Sequence, residues 1–273
     1  MCGIIARIGT GSAIDPVVTG LENLEYRGYD SAGVAVRNGS GVSVRKCAGD
    51  IDDLKRHMQT RPDGDVGIGH TRWSTHGEPT DANAHPHTNA DGDIAVVHNG
   101  VIENHASLRE RLEREGVTFD SDTDTEVVPH LIDHYYHGDD PSAAFRRAIR
   151  DLDGSYAIAA LVGDDDVVYA ARNGSPLVLG IDDHQYFLAS DVPAFLEYTN
   201  RVVYLKDGDV VEVRPDGVLT TTVDGERVQR SVESVDWDPH DAGKGAYDHY
   251  MLKEIESQPT ALARSIEGRI TAA

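Results

Sequence analysis

The chain has 273 residues, with 47 acidic against 25 basic side chains and a formal net charge of −22. Such a surface repels nucleic acid and anionic membrane, and no basic cluster offsets it, since lysine occurs only at positions 46, 55, 206, 244 and 253. Two cysteines, Cys2 and Cys47, are too few for a disulfide framework, and no apolar run approaches the ~18 residues a membrane helix needs.

A cytoplasmic protein without a leader is expected. Abundant aspartate with scarce lysine further predicts a protein that works in high salt, where screening relieves self-repulsion. Its melting temperature should therefore rise along a series from dilute buffer to molar potassium chloride. A flat or falling series would make the acidity incidental.

In chain order, Met1-Cys2-Gly3 comes first. A methionine before a small residue is normally removed, which would leave Cys2 with a thiol and a free α-amine. That amine has an unperturbed pKa of roughly 7.7–8.0, so near neutral pH it can take the thiol proton. The competing reading makes Cys2 a small apolar residue opening the strand Cys2 to Ile8.

Asp15-Pro16 reads as an N-cap with proline at the first helical position, followed by Val17, Val18, Leu21 and Leu24 at helical spacing. The connection from Leu24 to Gly33 could be a simple turn, but it packs Arg27, two tyrosines and Asp30 into a few residues. Strands follow at 34–36 and 42–47, then a helix capped by Asp50 and running through Met58, then a strand from Val66 to Gly69.

The segment from His70 to His87 is long and polar, and loops of that kind are usually functional or disordered. An arginine beside a tryptophan, Arg72-Trp73, argues for order. His70, His76, His85, His87 and His98 invite a metal site, but no helical His pair and no accompanying cysteine support one, and none is expected. The apolar strand Ile94 to Val97 should end at His98-Asn99-Gly100. There a side-chain amide and a glycine N–H suit an oxyanion hole, while Asn-Gly equally suits a hairpin turn.

A helix over 103–115 is stopped by Gly116. Ser121 to Glu126 opens a helix through Tyr136, where acidic residues can serve as caps. Asp140-Pro141 opens another, ending at Leu152. Strands are then expected at 155–162, 166–171, 176–181 and 186–190, with a short helix at 192–198. An Asp207-Gly208 hairpin and a Pro215-Asp216-Gly217 turn follow. Helices and strands in separate blocks point to an α+β fold. Residues 1–225 form one domain. Residues 226–273 read as a linker (236–245) and a short amphipathic helix over 247–255, stopped before Pro259.

Four segments together carry a resemblance: Cys2-Gly3-Ile4, the run from Glu25 to Gly33, the run from His70 to Gly77, and His98-Asn99-Gly100. They resemble the class II glutamine amidotransferases. The wording is nearest to the glutaminase half of the enzymes that aminate fructose 6-phosphate to glucosamine 6-phosphate, from Cys2 to about Ile270. The resemblance implies an N-terminal-nucleophile hydrolase fold, a four-layer αββα sandwich with two antiparallel sheets. It implies that Cys2 attacks the glutamine side-chain amide, that Asn99 and Gly100 hold the oxyanion, and that Arg27 stays near the nucleophile.

Arg72 would take the substrate α-carboxylate and Asp124 the α-ammonium, with Thr75 and His76 in the covering loop and Trp73 gating an ammonia channel. A zwitterionic substrate does need one fixed cation and one fixed anion, and the guanidinium fork suits a carboxylate. No cofactor is implied. The implied partners are L-glutamine and a sugar-isomerase part on this or another chain, through which a homodimer could form. Ser74 departs from the alanine common in the family, and nothing after residue 225 resembles the sugar-isomerase domains. Two alternatives stay open: a glutaminase serving another acceptor, as in amidophosphoribosyltransferase or asparagine synthetase, and a non-catalytic glutamine-binding module.

Overall fold

The computed structural model describes residues 2–39, 41–138, 140–236 and 250–266. It divides into two units, Met1–Asp236 and Trp237–Ala273.

The first unit is built on β1 (Gly3–Gly9), which is buried at every position. Its apolar run does not alternate because both faces are covered. Ile4, Ala6 and Ile8 enter a core shared between two sheets, while Ile5 packs under α1 (Ile14–Asn23). The next strands are β2 (Ser31–Asn38), β3 (Gly41–Ala48), β4 (Val66–Arg72), β5 (His87–Thr88) and β6 (Ala95–Ile102). After the helices come β7 (Gly154–Leu161), β8 (Val168–Asn173), β9 (Val178–Ile181) and β10 (Gln185–Ala189). The last are β11 (Arg201–Tyr204), β12 (Asp209–Arg214), β13 (Gly217–Thr222) and β14 (Glu233–Ser234).

Among the described residues these strands make an eight-stranded sheet, β14-β11-β9-β10-β1-β4-β2-β3, and a six-stranded sheet, β13-β12-β8-β7-β6-β5. Their pairings are antiparallel throughout. Helices α1 and α2 (Ile51–His57) cover the outer face of the larger sheet. Helices α3 (His105–Arg114), α4 (Val127–Tyr135) and α5 (Pro141–Arg150) cover the smaller one. The four layers expected from the resemblance are all there.

Local capping follows the sequence at two helices. Asp140 caps α5 through the Ala143 N–H at 2.9 Å. Asp50 caps α2 in a reciprocal box, its carboxylate taking the Asp53 N–H at 2.9 Å while Asp53 takes the Asp50 N–H at 3.2 Å. Asp50→Ala is therefore expected to destabilise the chain by about 1 kcal/mol. The check is a lower urea midpoint with an unchanged slope.

Elsewhere the structure corrects the expectation. Helix α1 starts two residues earlier than Asp15-Pro16 suggested, with Ala13 at its N-cap and tied to the Gly64 carbonyl at 2.7 Å. Pro16 is tolerated because N–H groups of a first turn have no helical partner. Strand β6 does not end at Asn99-Gly100 but runs through it, paired with β7 from Ala95↔Leu161 to Ile102↔Gly154, so no hairpin forms there. The helix expected at 192–198 shortens to a 3-10 turn, Val192–Ala194, capped by Asp191. Asp207-Gly208 joins β11 in one sheet to β12 in the other and is a crossing rather than a hairpin. Pro215-Asp216 does turn a two-residue hairpin, closing Arg214↔Gly217.

In the second unit, α6 (Tyr250–Ile266) passes through Pro259 instead of stopping before it. An interior proline removes one hydrogen bond and bends a helix without having to end it. The good helix formers Ala261, Leu262 and Ala263 follow. Leu252, Ile255, Leu262 and Ile266 are exposed, at positions that share one side of the helix. The predicted linker beyond Asp236 and the predicted helical residues 247–249 lie outside the described residues. Among the described residues no helix is long and apolar enough to cross a membrane.

Candidate active site

Cys2 stands at the start of β1, where the register sets Gly3 opposite Thr71 on β4, and Ser31 of β2 sits opposite Arg72. Its sulfur is held by the backbone of Trp73, accepting the N–H at 3.3 Å and facing the carbonyl at 3.5 Å. Its own carbonyl oxygen accepts from Arg27 Nε at 2.8 Å and from Asn99 Nδ2 at 2.9 Å. Three distant segments thus converge on one residue. Burial pushes the thiol pKa up, against the opposing pull of the Trp73 N–H and of the Arg72 and Arg27 charges. A thiol that rests protonated needs a base before it can attack.

Arg27 is itself fixed. Its guanidinium pairs with Asp191 at 3.5 Å, and the Tyr26 hydroxyl donates to the same carboxylate oxygen at 2.7 Å. The glycine after it allows the segment to lie flush on β4: a Cβ at Gly28 would stand 2.5 Å from the Arg72 carbonyl carbon. The Thr71 hydroxyl donates to the Gly28 carbonyl and closes this contact.

Asn99 Nδ2 donates to the Cys2 carbonyl and, at 2.8 Å, to Ser190 Oγ, which also takes the Ile4 N–H at 2.8 Å. The neighbouring Gly100 is exposed with φ at +127°, and a Cβ there would meet the Ser155 carbonyl oxygen at 2.0 Å. Only glycine fits this position. The Asn99 amide thus meets Cys2, with the exposed Gly100 next to it on β6.

Arg72 is 4% exposed and donates to the carbonyl groups of His76, Gly77 (3.2 Å) and Glu78 (3.4 Å). These bonds shape the loop that Thr75 and His76 occupy; both residues are exposed, and the Thr75 hydroxyl lies 3.3 Å from His76 Nδ1. Trp73 is 39% exposed and meets Tyr29 edge to face at 5.6 Å. Asp124 is buried, and its carboxylate accepts the Ile102 N–H at 2.8 Å. Arg72 also feels the charges of Cys2, Asp30 and Asp124, which oppose the lowering that burial imposes on its pKa. The cation Arg72 thus stands within electrostatic reach of the thiol, and the anion Asp124 within reach of that cation.

Residues 70–197 match the family described as the glutamine amidotransferase domain. Glutamine–fructose-6-phosphate aminotransferase [isomerizing] of Symbiobacterium thermophilum is 51% identical over 275 residues, spanning 100% of this chain and 45% of that protein. The like-named protein of Halobacterium salinarum is 53% identical over 272 residues, spanning 99% of this chain and 45% of that one. Among solved structures, glutamine phosphoribosylpyrophosphate amidotransferase of B. subtilis superposes with a TM-score of 0.70 at 25% identity, covering 81% of this chain and 49% of that one. The chain carries a glutamine amidotransferase domain over residues 70–197. It spans about 45% of the length of the curated relatives it matches.

Within this amidotransferase domain, the acids at 120–126 do not cap α4 as expected. Glu126 turns back and takes the N–H groups of Asp120 and Ser121 at 2.8 Å each, and the Ser121 hydroxyl at 2.6 Å. Burial favours the neutral acid, but these donors and His130 outweigh it and bring the pKa from an ordinary 4.5 down to about 2. A carboxyl depressed in the folded state stabilises above its unfolded pKa, and that support is lost as pH falls from about 4.5 towards 2. Glu126→Gln is expected to destabilise the chain by roughly 1–3 kcal/mol at pH 7. Urea melts at pH 7, 5 and 3 should show the difference from wild type shrinking as pH falls.

The histidines have protein partners rather than a common focus. His70 and His85 stack at 4.2 Å, and His85 meets His87 edge to face at 4.8 Å. His98 Nδ1 pairs with Thr125 Oγ1 at 2.8 Å and His87 Nε2 with Thr123 Oγ1 at 2.9 Å. Burial drives the pKa of all four downward. Among the described residues no group of three or more His, Cys, Asp or Glu is arranged to hold a metal ion.

The structure brings Arg27, Trp73 and Asn99 into contact with Cys2 and sets Arg72 within reach of its charge. Asp124 is linked to Arg72, Gly100 adjoins Asn99, and Thr75 and His76 are exposed in the loop that Arg72 braces. Ser190 and Asp191 escaped sequence reasoning, while Tyr26 belongs to the tyrosine-rich run beside Arg27. Ser190 and Asp191 directly follow β10, whose apolar pattern gave no sign of a polar end placed beside Cys2. Met1, whose removal would free the Cys2 amine, lies outside the described residues.

Proposed function

We propose that the chain hydrolyses the side-chain amide of glutamine and supplies the ammonia for amination of fructose 6-phosphate to glucosamine 6-phosphate. The observation that carries this reading is the convergence of Arg27, Trp73 and Asn99 on Cys2. The α-amine of Cys2, freed by loss of Met1, takes the thiol proton. The sulfur then bonds to the amide carbon. The oxygen gathers negative charge, stabilised by Asn99 Nδ2 and the Gly100 N–H. The C–N bond breaks as the amine's proton passes to nitrogen, and ammonia leaves a γ-glutamyl thioester. Water adds to the thioester, glutamate departs, and the thiol is restored.

Arg72 and Asp124 hold the two charges of the substrate, and Thr75 and His76 close over it. Trp73, whose backbone holds the Cys2 sulfur, is assigned the gate through which ammonia leaves. The acceptor reaction is assigned to sugar-isomerase domains on the remainder of the polypeptide or on a partner chain, through which the assembly would be a homodimer. Identity of 51–53% across the chain supports the sugar acceptor over the phosphoribosyl acceptor, whose structural relative is 25% identical. The exposed side of α6 is the surface we assign to those domains. A cytoplasmic site is supported by two cysteines kept as free thiols.

The test is a coupled assay for glutamate and glucosamine 6-phosphate, with and without fructose 6-phosphate. This chain alone is expected to release glutamate and ammonia at a rate indifferent to the sugar, and to make no amino sugar. No glutamate from protein whose mass shows Met1 removed would overturn the hydrolase reading. Amino sugar from the chain alone would overturn the assignment of its C-terminal part.

A further inference from the structure

β4 and β6 belong to different sheets, and His70 reaches from the first to Asn99 on the second. Its Nε2 lies 3.0 Å from the His98 carbonyl oxygen and 3.0 Å from Asn99 Oδ1. A carbonyl oxygen can only accept, so Nε2 carries the hydrogen. The Cys2 carbonyl also only accepts, so the part of the Asn99 amide 2.9 Å from it is Nδ2, and Oδ1 faces His70. Two backbone carbonyls therefore fix both the tautomer of the histidine and the orientation of the amide.

The ring is fully buried, and burial brings its pKa down to about 3, so it is neutral at pH 7. Nδ1 has no hydrogen-bond partner among the described residues. A leucine would pack in such a place at no polar cost, yet would leave the His98 carbonyl and Asn99 Oδ1 without their shared donor.

We propose that His70 is a positioning residue for the oxyanion donor: its Nε2–H holds Asn99 Oδ1 and thereby aims Nδ2 at the Cys2 end of β1. This rests on the reading of Asn99 given above. Without the histidine the amide is held on its Nδ2 side alone, by the Cys2 carbonyl and Ser190 Oγ, and a rotation that turns its oxygen towards the developing negative charge loses one of its restraints. A purely structural role, tying the sheets together, makes a different prediction for the pair.

The experiment is a double-mutant cycle on glutamate release at pH 7, with wild type, H70L, H70Q, N99A and H70L/N99A. H70L is expected to lower kcat by about 10–100-fold, as loss of a residue that orients a reacting group does elsewhere, with KM for glutamine little changed. H70Q keeps a donor and should recover most of that loss. In the N99A background H70L should remove nothing further. Equal fold losses in both backgrounds would overturn the proposal. Long-range proton–nitrogen NMR of the wild-type chain gives an independent reading should H70L fail to fold: an Nε2–H tautomer is expected, and an Nδ1–H signal would overturn it. Absence of glutamate release from wild type, with the Nε2–H tautomer present, would instead defeat the hydrolase reading alone.

Discussion

Cys2→Ala is expected to lower glutamine hydrolysis by about 10⁴-fold or more, in line with removal of other enzymatic nucleophiles, while the thermal transition stays where it was. The sulfur's neighbours are backbone groups of Trp73, and the carbonyl that Arg27 and Asn99 clamp is untouched by the change. Loss of activity and retention of fold therefore separate cleanly. A diazoketone or epoxyketone analogue of glutamine should in turn label Cys2 and spare Cys47. Cys47 is fully buried, and burial, followed by the charges of Asp81, Asp53 and Asp50, pushes its thiol up to about 11. Peptide mapping that finds the label on Cys47 and not on Cys2 would remove Cys2 as the nucleophile.

Asn99→Ala is expected to lower kcat by roughly 10²–10³, the usual effect of deleting one oxyanion donor. KM should change far less, because the charge the amide meets exists only in the transition state. The same amide also braces the Cys2 carbonyl, Ser190 and His70, so a melting curve must accompany the kinetics. Loss of activity in step with loss of stability would make Asn99 a structural brace. An unchanged kcat in a folded variant would take the oxyanion from it altogether.

The α+β class was legible in the sequence because helices and strands fall in separate blocks, whereas the four layers came only from the resemblance. Asp50 and Asp140 marked helix starts whose carboxylates do cap, since the next backbone N–H groups had nowhere else to go. Asp15 and Glu126 looked equally persuasive and cap nothing at those helices, because each finds a partner beyond its own first turn: Asp15 in Arg61, Glu126 in the preceding loop. At Asn99-Gly100 the local turn preference is overridden by eight residues of β7 that pair alongside.

The nucleophile, the amide and Arg27 were named from motifs. Their fixings at Ser190 and Asp191 were not, since a polar pair at the end of an apolar strand reads as an ordinary strand terminus. Asp207-Gly208 misled for the same reason: a turn signal reports that the chain bends, and says nothing about which sheet it bends into.

The place of β1 between β4 and β10 has a consequence for how this molecule comes into being. Ile5 pairs with Gly69 on one side and with Ala189 on the other, so one edge of the first strand waits for a segment made more than 180 residues later. At ~5–20 residues per second of synthesis, that interval is roughly 10–40 s on the ribosome. Throughout it the apolar β1 presents an unpaired edge, the feature most prone to join the wrong chain. The high sequence separation of these contacts also predicts slow refolding from denaturant. A fragment ending at residue 184 would keep Cys2, Arg27, Arg72, Asn99 and Asp124 yet lack the strand that closes the sheet beside them; it should aggregate rather than fold.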